Sequence, residues 1–416
     1  MDSAVKDILD YVDQYRGKIL ETLSELVAYQ SINPCDEEGI AAQDYIATRL
    51  KSLGFLVRNF ESPPGIPNIV GVFESTRANR SVLLTGHVDV ISAKKEEWET
   101  PPFEAVISGE RMLGRGTSDM KGSLACFLIA LEAVKKISPD RMGRITLASV
   151  FGEEIGQSGS RFFKEHGITA DFAILGEPSR ACSLHASIGL MSLSIILKDT
   201  DRLHMGARRN FIHAGGGLIG GNCIEKMATH ILPGLRELER TWGVIKVQPY
   251  IPPGQALISP MRIQGGGERG FNPSCCELGV DIMYLPNENE KDVKREIESH
   301  LQAVAECDLW LKNHPPVYEW SLPSYLPAPL PLEHWGVKYL CGAYEAVTGS
   351  KMSLGGRGAI TDAGWLAQQG IPTVVYGPGD IATAHGKNEY VWLNDLLVFT
   401  KAVAVFIYQS ANGGSL

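Results

Sequence analysis

The chain has 416 residues, 44% hydrophobic and 21% charged, with 39 basic and 48 acidic side chains giving a net charge of −9. That balance, with no basic tract, argues against a nucleic-acid partner, and no apolar run reaches the ~18 residues of a membrane span. The length exceeds what one hydrophobic core usually serves, so two domains of a globular enzyme are expected.

The N-terminal stretch MDSAVKDILDYVDQYRGKIL carries Asp2, Asp7 and Asp10 among apolar residues at helical spacing. It fits neither a signal nor a transit peptide. Periodicity predicts one amphipathic helix over 3–29 and a second over 41–55, closed by Gly54. Strand-like runs follow at NIVGVF (68–73) and SVLLTGH (81–87), then a Trp-, Pro- and Gly-rich loop leading to GRGTSDMKG (114–122). SLACFLIALEAVKKI (123–137) reads as a buried helix, RITLASVF (144–151) as a buried strand, 160–166 as a short helix and DFAILGEPS (171–179) as another strand. Strands alternating with helices make this part an α/β sheet domain.

From about residue 187 the texture changes. SIGLMSLSIIL, ALISPMRIQGG and CCELGVDIMYLP read as strands, and CIEKMATHILPGLRELERTW and KDVKREIESHLQAVAEC as helices, with a kink expected at Pro233. The Pro-rich stretch HPPVYEWSLPSYLPAPLP (314–331) reads as a linker, after which helix–strand texture resumes through TVVYGPG (373–379). The expected architecture is an α/β catalytic domain with a mixed sheet and helices on both faces, formed by residues 1–185 and 316–416. A smaller ferredoxin-like α+β unit, 186–315, is inserted into it. The eight cysteines include no CxxC, and adjacent Cys275 and Cys276 suit a short bridge poorly. Reduced thiols in the cytoplasm are the simplest expectation.

Polar residues fall at strand ends. His87 and Asp89 follow SVLLTG, Asp119 lies in a glycine-flanked loop before a helix, and Glu153 and Glu154 form the GEEIG turn after a strand. Glu177 follows DFAILG, and His385 lies beyond TVVYGPG. In open α/β sheets the functional crevice lies outside the carboxyl ends of the strands. Two imidazoles with three or four carboxylates suit Zn²⁺ or a similar divalent ion, and there are too many donors for one tetrahedral site. A pair of metals ~3.5–4 Å apart, bridged by one carboxylate, accounts for the surplus. Adjacent Glu153 and Glu154 cannot both point the same way, so one can bind metal while the other serves as general base. Asp89 could orient His87 by accepting its second N–H. Taken singly, each residue has an ordinary structural explanation, as a loop charge, a turn aspartate or a core histidine.

GHVDV (86–90), W..PPF (98–103), GRGTSDMKG, GEEIG, GEPS (176–179) and AHGKNEYV (384–391) together resemble the signature set of one family. It is the co-catalytic zinc metallopeptidases that include acetylornithine deacetylase, succinyl-diaminopimelate desuccinylase and carboxypeptidase G. The resemblance implies His87, Asp119, Glu154, Glu177 and His385 as ligands of two Zn²⁺, for which Co²⁺ or Mn²⁺ can substitute, with Asp119 bridging. It implies Glu153 as general base and Asp89 as the partner of His87. It also implies that the inserted unit is a lid through which subunits form a homodimer. His213, nine residues before Asn222, corresponds to the family's lid histidine that stabilises the oxyanion in the partner subunit's site; His204 is a competing candidate without that downstream match. Asn272 resembles a substrate-contacting lid asparagine.

The substrate is expected to be a small amide. Family deacylases of amino acids usually carry an arginine in the last lid strand, and the corresponding position here is Met283, which cannot grip a carboxylate. RRNFIHAGGGLIGG, ELERTW, IPPGQALISP, HPPVYEW, TDAGWL and VVYGPG are most similar to the formylaminopyrimidine deformylase branch, linked to thiamin salvage. That branch implies a neutral aminopyrimidine bearing an N-formyl aminomethyl group. Arg208, Arg209 and Arg269 could supply a replacement cation, which leaves an N-acyl amino acid deacylase open, and a dipeptidase or carboxypeptidase is a further alternative. Thr361 and Asp362 are expected in the pocket wall, with a helix N-cap as the plain structural alternative.

Overall fold

The run SVLLTGH explains itself in three dimensions. Strand Ser81–His87 is buried along nearly its whole length, as a parallel strand covered on both faces must be. Val82 and Leu84 point into one core while Leu83 points into another on the opposite face, the period-two alternation of a pleated strand. In this computed structural model, residues 2–74, 80–180, 182–200, 221–321, 325–330 and 332–411 are described. The chain divides into one unit of Met1–His185, Ala328–Gly356 and Thr361–Leu416, and a second of Ala186–Pro327 and Arg357–Ile360.

The first unit is built on a mixed sheet. Its strands run in the order Leu56–Glu61, Pro67–Phe73, Arg144–Val150, Ser81–His87, Phe172–Leu175, Thr373–Val375, Ser183–Ser187 and Ala328–Pro329. The four in the middle, from Arg144–Val150 to Thr373–Val375, are mutually parallel, and antiparallel strands flank them. Helix Lys121–Ile137 is buried on nearly every face between the sheet and helices Arg16–Ala28 and Leu393–Ser410. The smaller core on the opposite face gathers Leu83, Val150 and Phe163 under Leu366 of helix Ala363–Gln368.

The second unit follows the order strand, helix, strand, strand, helix, strand. Its antiparallel sheet runs Leu257–Gly266, Cys275–Tyr284, Gly189–Lys198, Val317–Trp320, which is a ferredoxin-like arrangement. Strand Cys275–Tyr284 alternates half-buried and buried residues along its length, so one face packs on the unit's own core.

Three local expectations need correcting. The predicted helix over 3–29 is two helices, Ser3–Gln14 and Arg16–Ala28, separated at Tyr15, whose φ of −104° and ψ of 21° leave the helical range. The second helix starts earlier than periodicity suggested, because Asp36 caps it by accepting the N–H groups of Glu38 and Gly39. Most consequential, the stretch 314–331 is not only a linker. Strand Val317–Trp320 lies within it and pairs with Gly189–Lys198, so residues 316–327 stay with the second unit beyond the expected return near 315. Proline is excluded from central strands but tolerated beside an edge strand, and Val317–Trp320 is such an edge. Just before Pro233 the backbone forms a π-helical turn, Met227–Ile231.

Candidate metal centre

The four parallel strands of the first unit end on one side of the sheet, and the polar residues sit just past those ends. His87 closes its strand, Glu153 and Glu154 follow Arg144–Val150, Glu177 lies two residues beyond Leu175, and His385 is in the loop after Thr373–Val375. Asp119 precedes helix Lys121–Ile137.

These side chains converge. His87 Nε2 lies 3.1 Å from Asp119 Oδ1 and 3.5 Å from Glu177 Oε1. His385 Nε2 lies 2.8 Å from Glu154 Oε2 and 3.4 Å from Asp119 Oδ2. Asp119 therefore turns one oxygen to each group, and within each trio the donor atoms all lie within 4.8 Å of one another. Donors sharing a tetrahedral cation at about 2.0–2.1 Å stand roughly 3.3 Å apart, and the separations of 2.8–3.5 Å between each histidine and its carboxylates are close to that spacing. The charge points the same way. Burial resists a proton on His87, yet its contacts with Asp119, Asp89 and Glu177 raise its pKa well above the usual imidazole value. A pocket that draws positive charge so strongly suits a metal cation equally well.

The GEEIG turn is held open by two glycines with φ of 92°, Gly152 and Gly156. A Cβ on Gly152 would stand 2.2 Å from Ser158 Oγ. Asp89 fixes the turn: its Oδ1 accepts the Glu153 N–H at 3.3 Å and its Oδ2 accepts the Glu154 N–H at 3.1 Å. Its relation to His87 differs from the expected one. The nearer acceptor for His87 Nδ1 is the backbone carbonyl of Asp89 at 2.9 Å, while the carboxylate is 3.6 Å away. Burial, reinforced by the neighbouring Glu177 carboxylate, raises the Glu153 pKa well above the ordinary carboxylate range.

Other candidates fall elsewhere. Thr361 and Asp362 are buried in the first unit just before helix Ala363–Gln368. Thr361 Oγ1 accepts the Ala363 N–H at 3.2 Å, whereas Asp362 makes no capping bond, and burial pushes its carboxyl up to about 7. Asn272 and Met283 belong to the second unit. Asn272 is buried, and its Nδ2 has no hydrogen-bond partner among the described residues. Met283 is half-buried against that unit's core, and Arg269 is exposed. His213, with His204, Arg208 and Arg209, lies outside the described residues.

Three supporting residues were not singled out from the sequence. Asn33 donates to Asp89 Oδ2 at 3.0 Å. Glu389 is fully buried, and its Oε1 accepts the N–H groups of Gly116, Ser118 and Asp119 at 3.1, 2.9 and 3.0 Å. Its Oε2 accepts from Arg115 Nη1 at 2.6 Å, and Arg115 Nη2 donates to the carbonyl of Gly386, next to His385. One buried ion pair thus ties the loop of Asp119 to the loop of His385. The only available signal was Glu389 inside HGKNE, where an acid four residues beyond a histidine looks like an ordinary loop charge.

Residues 83–409 match the sequence pattern of peptidase family M20/M25/M40. The chain belongs to this family. The chain is 37% identical over 98% of its length to N-formyl-4-amino-5-aminomethyl-2-methylpyrimidine deformylase of Halalkalibacterium halodurans, covering 97% of that protein. It is 35% identical to the enzyme of the same name from Bacillus subtilis, with 98% of each chain covered. Acetylornithine deacetylase of Vibrio parahaemolyticus is more distant, at 26% identity over 89% of this chain and 93% of that one. Among solved structures, the Bacillus subtilis YXEP protein, a dinuclear metal-binding peptidase of the M20 family, shares the fold with a TM-score of 0.63. It is 13% identical, with 96% of this chain and 99% of that one covered. As an M20 peptidase-family member the chain is a metal-dependent hydrolase of linear amides. Its mixed α/β fold is the one expected. No helix among the described residues is long and apolar enough to cross a membrane.

Proposed function

We propose that this M20-family hydrolase removes the formyl group from an N-formyl aminomethyl-aminopyrimidine, using two Zn²⁺ shared across Asp119. The observation that carries the reading is the pair of donor trios meeting at Asp119 in a chain similar over almost its full length to two deformylases. Met283, where the amino-acid deacylases it resembles carry an arginine, supports a neutral substrate.

His87, Glu177 and Asp119 Oδ1 would hold one metal, and Glu154, His385 and Asp119 Oδ2 the other. When bound, the pair supplies Lewis acidity, lowering the pKa of a water and polarising the acyl oxygen. Glu153 removes the proton from the attacking water and delivers it to the leaving amine, so the amide and water become formate and a free amine. One carboxylate can serve both steps, because it accepts a proton in its charged form and donates it in its neutral form. Asp89 keeps Glu153 and Glu154 in register through their N–H groups. Asn272 and the buried pair Thr361 and Asp362 belong to substrate binding in this reading. His213 stabilises the oxyanion from the partner subunit of a homodimer formed through the second unit. That unit's edge strand Leu257–Gly266 exposes Met261 and Ile263, as a pairing edge would. Eight unpaired thiols support a cytoplasmic location.

The test is a panel of N-formyl-4-amino-5-aminomethyl-2-methylpyrimidine, N-acetylornithine and dipeptides, assayed with zinc or cobalt. The highest kcat/KM should fall on the formylated pyrimidine. A preference for N-acetylornithine or a dipeptide would replace the substrate while keeping the chemistry.

A further inference from the structure

The Glu153 carboxylate receives one hydrogen bond among the described residues. Gln157, four positions along the same turn, donates its Nε2–H to Glu153 Oε1 at 3.1 Å. Gln157 is only 1% exposed and holds a left-handed φ of 52° that ordinary side chains avoid. Its other end is also fixed. The indole N–H of Trp365, on helix Ala363–Gln368 and more than two hundred residues away, donates to Gln157 Oε1 at 2.9 Å. Because an indole nitrogen can only donate, the Gln157 oxygen must face Trp365, and its NH₂ must face Glu153. The amide has no freedom to flip. Trp365 is itself held by Arg161, whose guanidinium lies 5.0 Å from the ring centroid.

We propose that Gln157, oriented by Trp365, is the positioning residue for Glu153: it engages Oε1 and leaves Oε2 directed to the attacking water. A neutral amide is the chemistry this task needs. Lysine or arginine in its place would fix the carboxylate but also pair with its charge and weaken it as a base. An apolar residue would leave a short, rotatable side chain to choose among several rotamers. The inference rests on the proposed role of Glu153 as base, and it adds a residue that acts only through Glu153.

The experiment compares wild type, Gln157→Met, Trp365→Phe, Glu153→Gln and the Glu153→Gln/Gln157→Met double variant. Each is assayed on the formylated aminopyrimidine, or on N-acetylornithine if the wild type prefers it, with metal content and melting temperature recorded. Methionine keeps the volume of Gln157 without the donor. Expected are a fall in kcat on the order of ten- to a hundredfold for Gln157→Met, with KM within about twofold and two metals per chain retained. Trp365→Phe should move kcat in the same direction by less, and it serves if Gln157→Met does not fold. In the Glu153→Gln background, Gln157→Met should change the residual rate little. Wild-type kcat in folded, metal-loaded Gln157→Met, or an equal loss with and without Glu153, overturns the positioning role alone. Wild-type turnover by Glu153→Gln would instead remove Glu153 as base, a separate failure.

Discussion

Glu389 Oε1 accepts the backbone N–H of Asp119 at 3.0 Å, although 270 residues separate the two in sequence. The same carboxylate pairs with Arg115, which in turn holds the carbonyl beside His385. The residue that links the two donor trios is thus itself held by an acid that belongs to neither trio.

Substituting Glu389→Gln should therefore act at a distance. It leaves Arg115 buried without its counter-charge, a change that costs about 3–5 kcal/mol. It should also weaken metal binding by roughly 10–100-fold, the usual effect of losing a residue that supports a ligand. Urea denaturation and metal titration measure the two effects. Unchanged metal affinity would show that the Asp119 loop keeps its shape without Glu389.

Metal removal should destabilise the first unit as well as stop turnover. Asp119, Glu154 and Glu177 crowd two histidines, and cations bound only by the folded chain add stability by mass action. At a thousandfold excess over Kd that is about 4 kcal/mol. Chelation should lower the melting temperature, and zinc or cobalt should restore both it and activity. A melting temperature indifferent to chelator would argue against bound metal.

Introducing a cation at Met283 should redirect specificity. Met283→Arg is expected to raise kcat/KM for N-acyl amino acids relative to the formylated pyrimidine by about ten- to a hundredfold, the value of one charge-assisted hydrogen bond. An unchanged ratio would mean that Met283 does not face the substrate.

Stability should fall on the acid side for a reason unconnected with catalysis. His185 is buried, and burial lowers its pKa to about 4 from the ordinary value near 6.5. Between those values the unfolded chain binds the extra proton and the folded chain does not, so stability is full above pH 6.5 and declines as pH falls towards 4. The loss is on the order of 3 kcal/mol over that window. His185→Gln should flatten the pH dependence of the denaturation midpoint there, and an equally steep variant would point to other groups.

Four of the five donors were legible in sequence because each follows an apolar run that reads as a buried strand, and parallel strands bring their carboxyl ends to one side. His87, Glu154, Glu177 and His385 needed only that rule to be brought together. Strand Val317–Trp320 was hidden because four residues between prolines carry too little pattern to outweigh the linker signal. The split at Tyr15 was hidden because local composition hardly marks it.

The order of residues by itself determined the alternation of strands and helices, the inserted second texture and the chemistry of the donors. These depend on periodicity and side-chain type, which are local. Only the tertiary structure decided that Asp119 turns one oxygen to each trio, that Asp89 holds the glutamate turn through backbone N–H groups, that Glu389 accepts from the Asp119 loop, and that Trp365 donates to Gln157. Those facts depend on hydrogen bonds between segments far apart in the chain. A polar side chain in a loop carries no local sign of the partner that folding will bring to it.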